Sequence, residues 1–285
     1  MRAVGDVTPP GPGLKTLRDC MPVLFCHCAY TDLLPETSRR QLLDSLNATG
    51  QKVHSVADLC LLASRRDPLL TDLLAQKDDL IVVACYPRAV RSLLRYAGIA
   101  CSETTRFYNL REQSAEEILQ AIVPNDTPPD STQSPLPQPF PEKDGEWMPW
   151  FPVLDRERCT NCKQCLNFCL FGVYEEGADG QVAVTNPSGC KTYCPACARI
   201  CPQAAIVFPK VGDSPINGAE ITDENALQNL IQVNVESILG ADPYAALLER
   251  RKRNATRRLK NRDDERARAE RQAWVEREDK ESPPQ

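Results

Sequence analysis

The chain has 285 residues, 42% of them hydrophobic and 26% charged, with a formal net charge of −5; this is ordinary globular usage and allows about two domains. The only two histidines, His27 and His54, exclude a three-His zinc enzyme, and the acidic balance argues against attraction of the whole chain to nucleic acid. The departures that need explaining are 14 cysteines and 24 prolines.

Residues 1–19 form a Pro/Gly-rich stretch without an apolar h-region, predicted to be a disordered tail rather than a signal peptide. No apolar run is long enough to span a bilayer. Many cysteines without a secretory signal point to metal binding in a reducing compartment, so a cytoplasmic location and no membrane insertion are expected.

Residues 20–123 have a βα rhythm. PVLFCHC (22–28) is an apolar run suited to a buried strand. Pro35 then opens a helical pattern through Leu42, Leu43 and Leu46, with Gly50 where a stop is expected. KVHSV (52–56) is a second strand, followed by a Leu-rich helical stretch interrupted at Pro68. LIVVACY (80–86) is the clearest buried strand, and the helix after it begins with Pro87 in its first turn. RFYNL (106–110) is a fourth strand, before a helix whose Ser114 and Glu117 make a capping box. Alternating strands and helices predict a small doubly wound α/β domain with a parallel sheet.

Parallel strands end on one edge, and ligands sit outside their carboxyl ends. Cys26 and Cys28 close the first strand, Cys60 follows the second and Cys85 ends the third. These four thiols are candidates for a metal or redox site on that rim; buried cysteine as a small hydrophobe is the plain alternative. Cys101, before the fourth strand, is expected on the opposite side, and His27 and His54 as ordinary structure.

Nine prolines in residues 124–152 mark a polyproline-biased linker with a reach of about 30 Å. Residues 153–210 follow with eight cysteines. One run is Cys159, Cys162, Cys165, Cys169; the other is Cys190, Cys194, Cys197, Cys201, then Pro202. Three thiolates within seven residues wrap one face of a cubane, and the fourth ligand must arrive from elsewhere. Two runs solve this reciprocally, the last cysteine of each reaching the other cluster. Cys159, Cys162, Cys165 and Cys201 are therefore assigned to one [4Fe–4S] cluster, and Cys190, Cys194, Cys197 and Cys169 to a second. GVYEE and QVAVT, joined by GADG, read as a hairpin between the runs, and AIVFP as an edge strand. Paired zinc sites would leave the third cysteine of each run surplus.

Residues 211–285 are expected to be helical and charged. Thr222 and Asp223 begin one helix, and a long charged helix follows. Eight Lys/Arg and no acid in residues 250–262 suggest a solvated helix face, or a docking arm for an acidic partner or nucleic acid.

Residues 153–210 resemble the bacterial two-cluster ferredoxin module. Two departures are the three residues between Cys190 and Cys194 and Leu170 in place of a proline after Cys169. Residues 20–120 resemble the N-terminal domain of the flavin-bearing polypeptide of heterodisulfide reductase. The matching positions are Cys26, Cys28, Cys60, Cys85 and the run Asn109, Leu110, Arg111, Glu112, Gln113. That resemblance implies redox work and a third iron–sulfur cluster held by these four cysteines. Tyr86 stands where the family has Ser, and Ser114 where a Cys commonly follows. No GxGxxG fingerprint of a flavin domain is present. The expectation is thus an iron–sulfur electron carrier with two [4Fe–4S] clusters and no substrate site of its own. It would be a subunit of a cytoplasmic redox complex related to heterodisulfide reductase, working with a donor and an acceptor such as a flavoprotein or a reductase component. A thiol/disulfide reductase using Cys26 and Cys28, and a nucleic-acid-associated iron–sulfur protein, are the alternatives.

Overall fold

The structure, a computed structural model, describes residues 21–49, 51–75, 80–123, 147–240, 242, 245–253 and 256. Four strands, β1 (Val23–Cys26), β2 (Val53–Val56), β3 (Ile81–Ala84) and β4 (Arg106–Asn109), form a parallel sheet in the order β2-β1-β3-β4. The apolar runs VLFC and IVVA are buried along their whole length at the centre, while the more polar VHSV and RFYN form the two edges.

Period-two alternation divides the sheet's side chains between two layers. Val23, Phe25, Ile81 and Val83 face helices α1 (Glu36–Ala48) and α5 (Ala115–Ile122), meeting Leu42, Leu46 and Ile118. Leu24, Cys26, Val82 and Ala84 belong to the opposite core, with α2 (Leu59–Arg65), α3 (Pro68–Ala75) and α4 (Pro87–Tyr96). Local chemistry marks the helix starts. Asp58 caps α2 by accepting from the Leu61 amide, and Ser114 and Glu117 close the expected capping box on α5. The first helix ends at Ala48 with Thr49 as its cap; Gly50, the expected stop, lies outside the described residues.

The second core does not end with the sheet. It continues into Trp150, Phe151 and Val153 and through the cysteine-rich half of the chain. Residues 147–152, grouped with the Pro-rich linker by composition, belong instead to this packed body, since Trp150 and Phe151 are buried. Their aromatic bulk outweighs the flanking prolines. The rest of that segment, 124–146, and the predicted tail, 1–19, lie outside the described residues.

Beyond Phe151, β5 (Val153–Leu154) pairs antiparallel with β8 (Ile206–Val207). The expected hairpin is β6 (Tyr174–Glu176) with β7 (Val182–Val184). Two short helices, α6 (Gln164–Phe168) and α7 (Ala196–Arg199), each carry a cysteine. Helix α8 (Glu224–Leu239) starts at Asp223, which accepts from the Asn225 and Ala226 amides, and seats Leu227 and Ile231 against Ala204. The chain then breaks at Gly240, which has φ 79°, before a further helix at 245–253. The long charged helix predicted after α8 is thus separate from it. Arg250 stacks 4.2 Å over the Phe168 ring, so one of the basic residues 250–262 packs rather than facing a partner; residues 257–262 lie outside the described set.

Arg88, near the start of α4, joins the two halves. Its guanidinium donates to the Asp155 carboxylate at 2.8 Å and to the carbonyls of Ala204 and Ala219 at 2.6 and 3.0 Å. Both side chains of the ion pair are largely buried. Arg88→Met is expected to lower stability by about 1.5–3 kcal/mol, the worth of a hydrogen-bonded charge whose partners are left unsatisfied. A thermal unfolding midpoint unchanged from the parent's would contradict this role.

Candidate metal centres

The first cysteine run wraps tightly because its backbone enters the left-handed region at Asn161 and Lys163, with φ 55° and 62°. Asn161 ties this loop to the hairpin: its side-chain amide donates to the Gly180 carbonyl at 2.9 Å, and its oxygen accepts from the Val182 amide at 2.9 Å. Cys159, Cys162 and Cys165 then line one cavity, and the fourth thiol in its wall is Cys201 from the distant second run. A second cavity, of about 150 Å³, is lined by Cys190, Cys194, Cys197 and Cys169. Its loop turns through Tyr193 at φ 62°.

The exchange of the last cysteines has a local cause. Cys165 and Cys169 are four apart, a spacing that would put both on one face of a continuing helix. Helix α6 stops at Phe168, however, and Cys169 caps it in an extended conformation, which turns its side chain to the other cavity. Cys201 likewise lies just beyond α7, and its sulfur accepts from the Ala205 amide at 3.3 Å.

Burial dominates the electrostatics of these pockets. Burial, then Cys201, pushes the Cys165 thiol up to about 12. Burial, then Cys169 and Cys194, pushes Cys190 up to about 12. Cys197 is raised well above its ordinary value by burial, against an opposing hydrogen bond from the Tyr174 hydroxyl at 3.2 Å. Cys201 is raised by burial as well. Thiols packed this way resist ionisation by themselves, whereas a coordinated metal deprotonates them outright. The donor set, four sulfurs per cavity, fits an iron–sulfur group. A cubane takes four such thiolates, one per iron.

A third group forms at the carboxyl edge of the parallel sheet, where strand order reverses between β1 and β3. Cys26, Cys28, Cys60 and Cys85 are all buried there. The Cys26 and Cys28 sulfurs lie 3.6 Å apart, Cys28 being in the left-handed region at φ 49°, and the Leu59 amide donates to Cys26 Sγ at 3.2 Å. Cys26 is raised by its bond with Cys28 and by burial, Cys60 by burial, and Cys85 by burial to about 12. Cys101 stands apart from this group, near Arg91 and Arg95. His27 is buried beneath the rim, its ring bonded to Ser55. Burial, then Arg39, lowers its pKa to about 4, so it is neutral at pH 7.

Two residues here carry no functional signal in the sequence. Asp58, fully buried, forms an ion pair with Lys210, whose side chain is 5% exposed. Lys210 belongs to the cysteine-rich half, so this half supplies a cation to the rim of the other. Burial alone would lower the Lys210 pKa; Cys60 and Asp58 outweigh it, and the net shift is upward. Asp58 is legible as a helix cap, but nothing in the sequence around Lys210 distinguishes it from a surface lysine. Arg111 secures the same junction by donating to the Pro209 and Val211 carbonyls at 3.2 and 3.0 Å.

Comparison with known proteins bears on the cysteine-rich half. Residues 151–202 match the 4Fe-4S dicluster domain. The chain is 43% identical over 61 residues to an uncharacterized ferredoxin of Methanocaldococcus jannaschii, a stretch covering 21% of this chain and 41% of that protein. It is 36% identical over 64 residues to the pyruvate synthase subunit PorD of the same organism, covering 22% of this chain and 72% of that protein. A dicluster domain carries two [4Fe–4S] clusters, and its cysteines are present here.

Proposed function

Because this chain belongs, through residues 151–202, to the 4Fe-4S dicluster ferredoxins, we propose that it is an electron-transfer subunit of a cytoplasmic redox complex related to heterodisulfide reductase. Cys159, Cys162, Cys165 and Cys201 hold one cluster, and Cys190, Cys194, Cys197 and Cys169 the other. When bound, a thiolate-saturated cluster accepts and passes single electrons. The chain's own residues hydrogen-bond the ligating sulfurs through Tyr174 and the Ala205 amide and hold the loops around the cages. The carrying observation is that the two cavities partition the eight cysteines crosswise.

The rim of the N-terminal sheet is read as a third iron–sulfur site, with Cys26, Cys28, Cys60 and Cys85 as ligands. Support comes from their convergence at the reversal of strand order and from Lys210, a cation beside what would be an anionic thiolate cluster. The partners are then a donor and an acceptor of redox character, such as a flavoprotein or a reductase component; PorD, a subunit of pyruvate synthase, is a relative of this kind. Among the described residues no helix is long and apolar enough to cross a membrane.

A second reading is favoured by the 3.6 Å contact between the Cys26 and Cys28 sulfurs, which suits a dithiol that cycles through a disulfide. Iron and sulfide analysis of anaerobically prepared protein separates the two. About twelve irons per chain supports three clusters, and about eight supports the module with a dithiol beside it, at four irons per cubane. Colourless protein loaded with zinc would overturn both.

A further inference from the structure

We propose that a recess between the two halves, with no cysteine in its wall, binds the phosphate of a phosphorylated small molecule. The recess has a volume of about 210 Å³ and is lined by Arg66, Arg95 and Arg156, with no carboxylate in its wall. These arginines come from separate elements. Arg66 follows α2 in the left-handed conformation, at φ 50°; Arg95 lies in the last turn of α4; Arg156 follows β5. Tyr96, also in the wall, lies beneath the Arg66 guanidinium at 5.5 Å.

Three other arginines near this junction end on acceptors: Arg88 on Asp155 and backbone carbonyls, Arg111 on the Pro209 and Val211 carbonyls, and Arg158 on Glu224. Arg156 differs. It lines the recess while, among the described residues, no acceptor meets its Nη1. Guanidinium forks match the geometry of phosphate oxygens and bind them bidentately, so a dianion in the recess meets three arginines and, among the described residues, no carboxylate in the wall.

The ligand has room for an organic part. Ser92, Arg95 and Arg156 also line an adjoining cavity of about 800 Å³, which reaches Phe107 and Arg91. That cavity carries acids too, Glu103, Glu157 and Glu220 among them, so the excess of positive charge is confined to the smaller recess. Phosphate in the recess and the ester's body in the larger cavity fit this division.

The test is calorimetric titration of the cluster-loaded full chain with inorganic phosphate and, separately, with adenosine monophosphate, at low ionic strength where charge attraction is least screened. Saturable one-site binding is expected. Arg95→Gln and Arg156→Gln are each expected to weaken it by about tenfold or more, while Arg251→Gln, at an exposed position of the 245–253 helix, leaves it unchanged. Tighter binding of the nucleotide supports an ester seated in both cavities; equal affinities support free phosphate in the recess. Absence of saturable binding of either probe at millimolar concentration, or unaltered affinity in Arg95→Gln, overturns the proposal. Arg95 is solvent-exposed, so this variant keeps the test decisive even where Arg156→Gln disturbs folding.

Discussion

Replacing Cys201 with serine removes one cluster and spares the other, and the cluster lost is that of Cys159, Cys162 and Cys165. Iron content falls by about four per chain. The expectation rests on the cavity in which Cys201 faces the first run, 36 residues and more away in sequence, rather than its neighbour Cys197. Ligands of one cluster act as a unit, so their removals do not add. Cys165→Ser combined with Cys201→Ser therefore loses about four irons, as either does alone, whereas Cys197→Ser combined with Cys201→Ser loses about eight. Were each run to close its own cluster, the two double variants would exchange behaviour. Iron and sulfide analysis, with paramagnetic resonance of the dithionite-reduced protein, reads out which of these holds.

The second large effect is on stability. Lys210→Met leaves the Asp58 carboxylate buried without its cation at the junction of the two halves. Breaking a buried pair from one side costs about 3–5 kcal/mol, because the remaining charge has neither water nor a partner. For a chain of this size the unfolding midpoint should fall by roughly 6–20 °C, at about 2–4 °C per kcal/mol. Asp58 also caps α2 through the Leu61 amide, and asparagine retains that acceptor without the charge. Lys210→Met with Asp58→Asn should accordingly recover much of the loss. A single Lys210 variant melting with the parent would show that the pair is solvated and contributes little.

The cluster ligands and the buried ion pair differ in how plainly the sequence announces them. The cysteine runs are visible because three ligands of a cage must lie within one short loop, which leaves a spacing that few other structures require. The strands of the N-terminal sheet are visible for a similar reason: VLFC and IVVA, buried on both faces, must be continuously apolar. Lys210 carries no such mark, because its burial depends on a surface formed by residues some 150 positions earlier. Arg88 and Arg111 are likewise arginines on a helix and in a loop until the other half presents carbonyls to them. The Trp150 and Phe151 pair is hidden among prolines, since composition averaged over a window conceals two large side chains.

Local chemistry, then, was sufficient to determine the strand segments, the helix caps, the hairpin and the two cysteine runs. These follow from interactions between residues near in sequence, where pattern and geometry are the same information. Tertiary structure alone decided that the two halves share a core, that a lysine of one sits beside the thiols of the other, and that three arginines from separate elements meet at one recess. Such arrangements depend on surfaces that exist only after each half has formed. No periodicity or spacing encodes them, because the residues that meet are under no mutual constraint until the chain has folded.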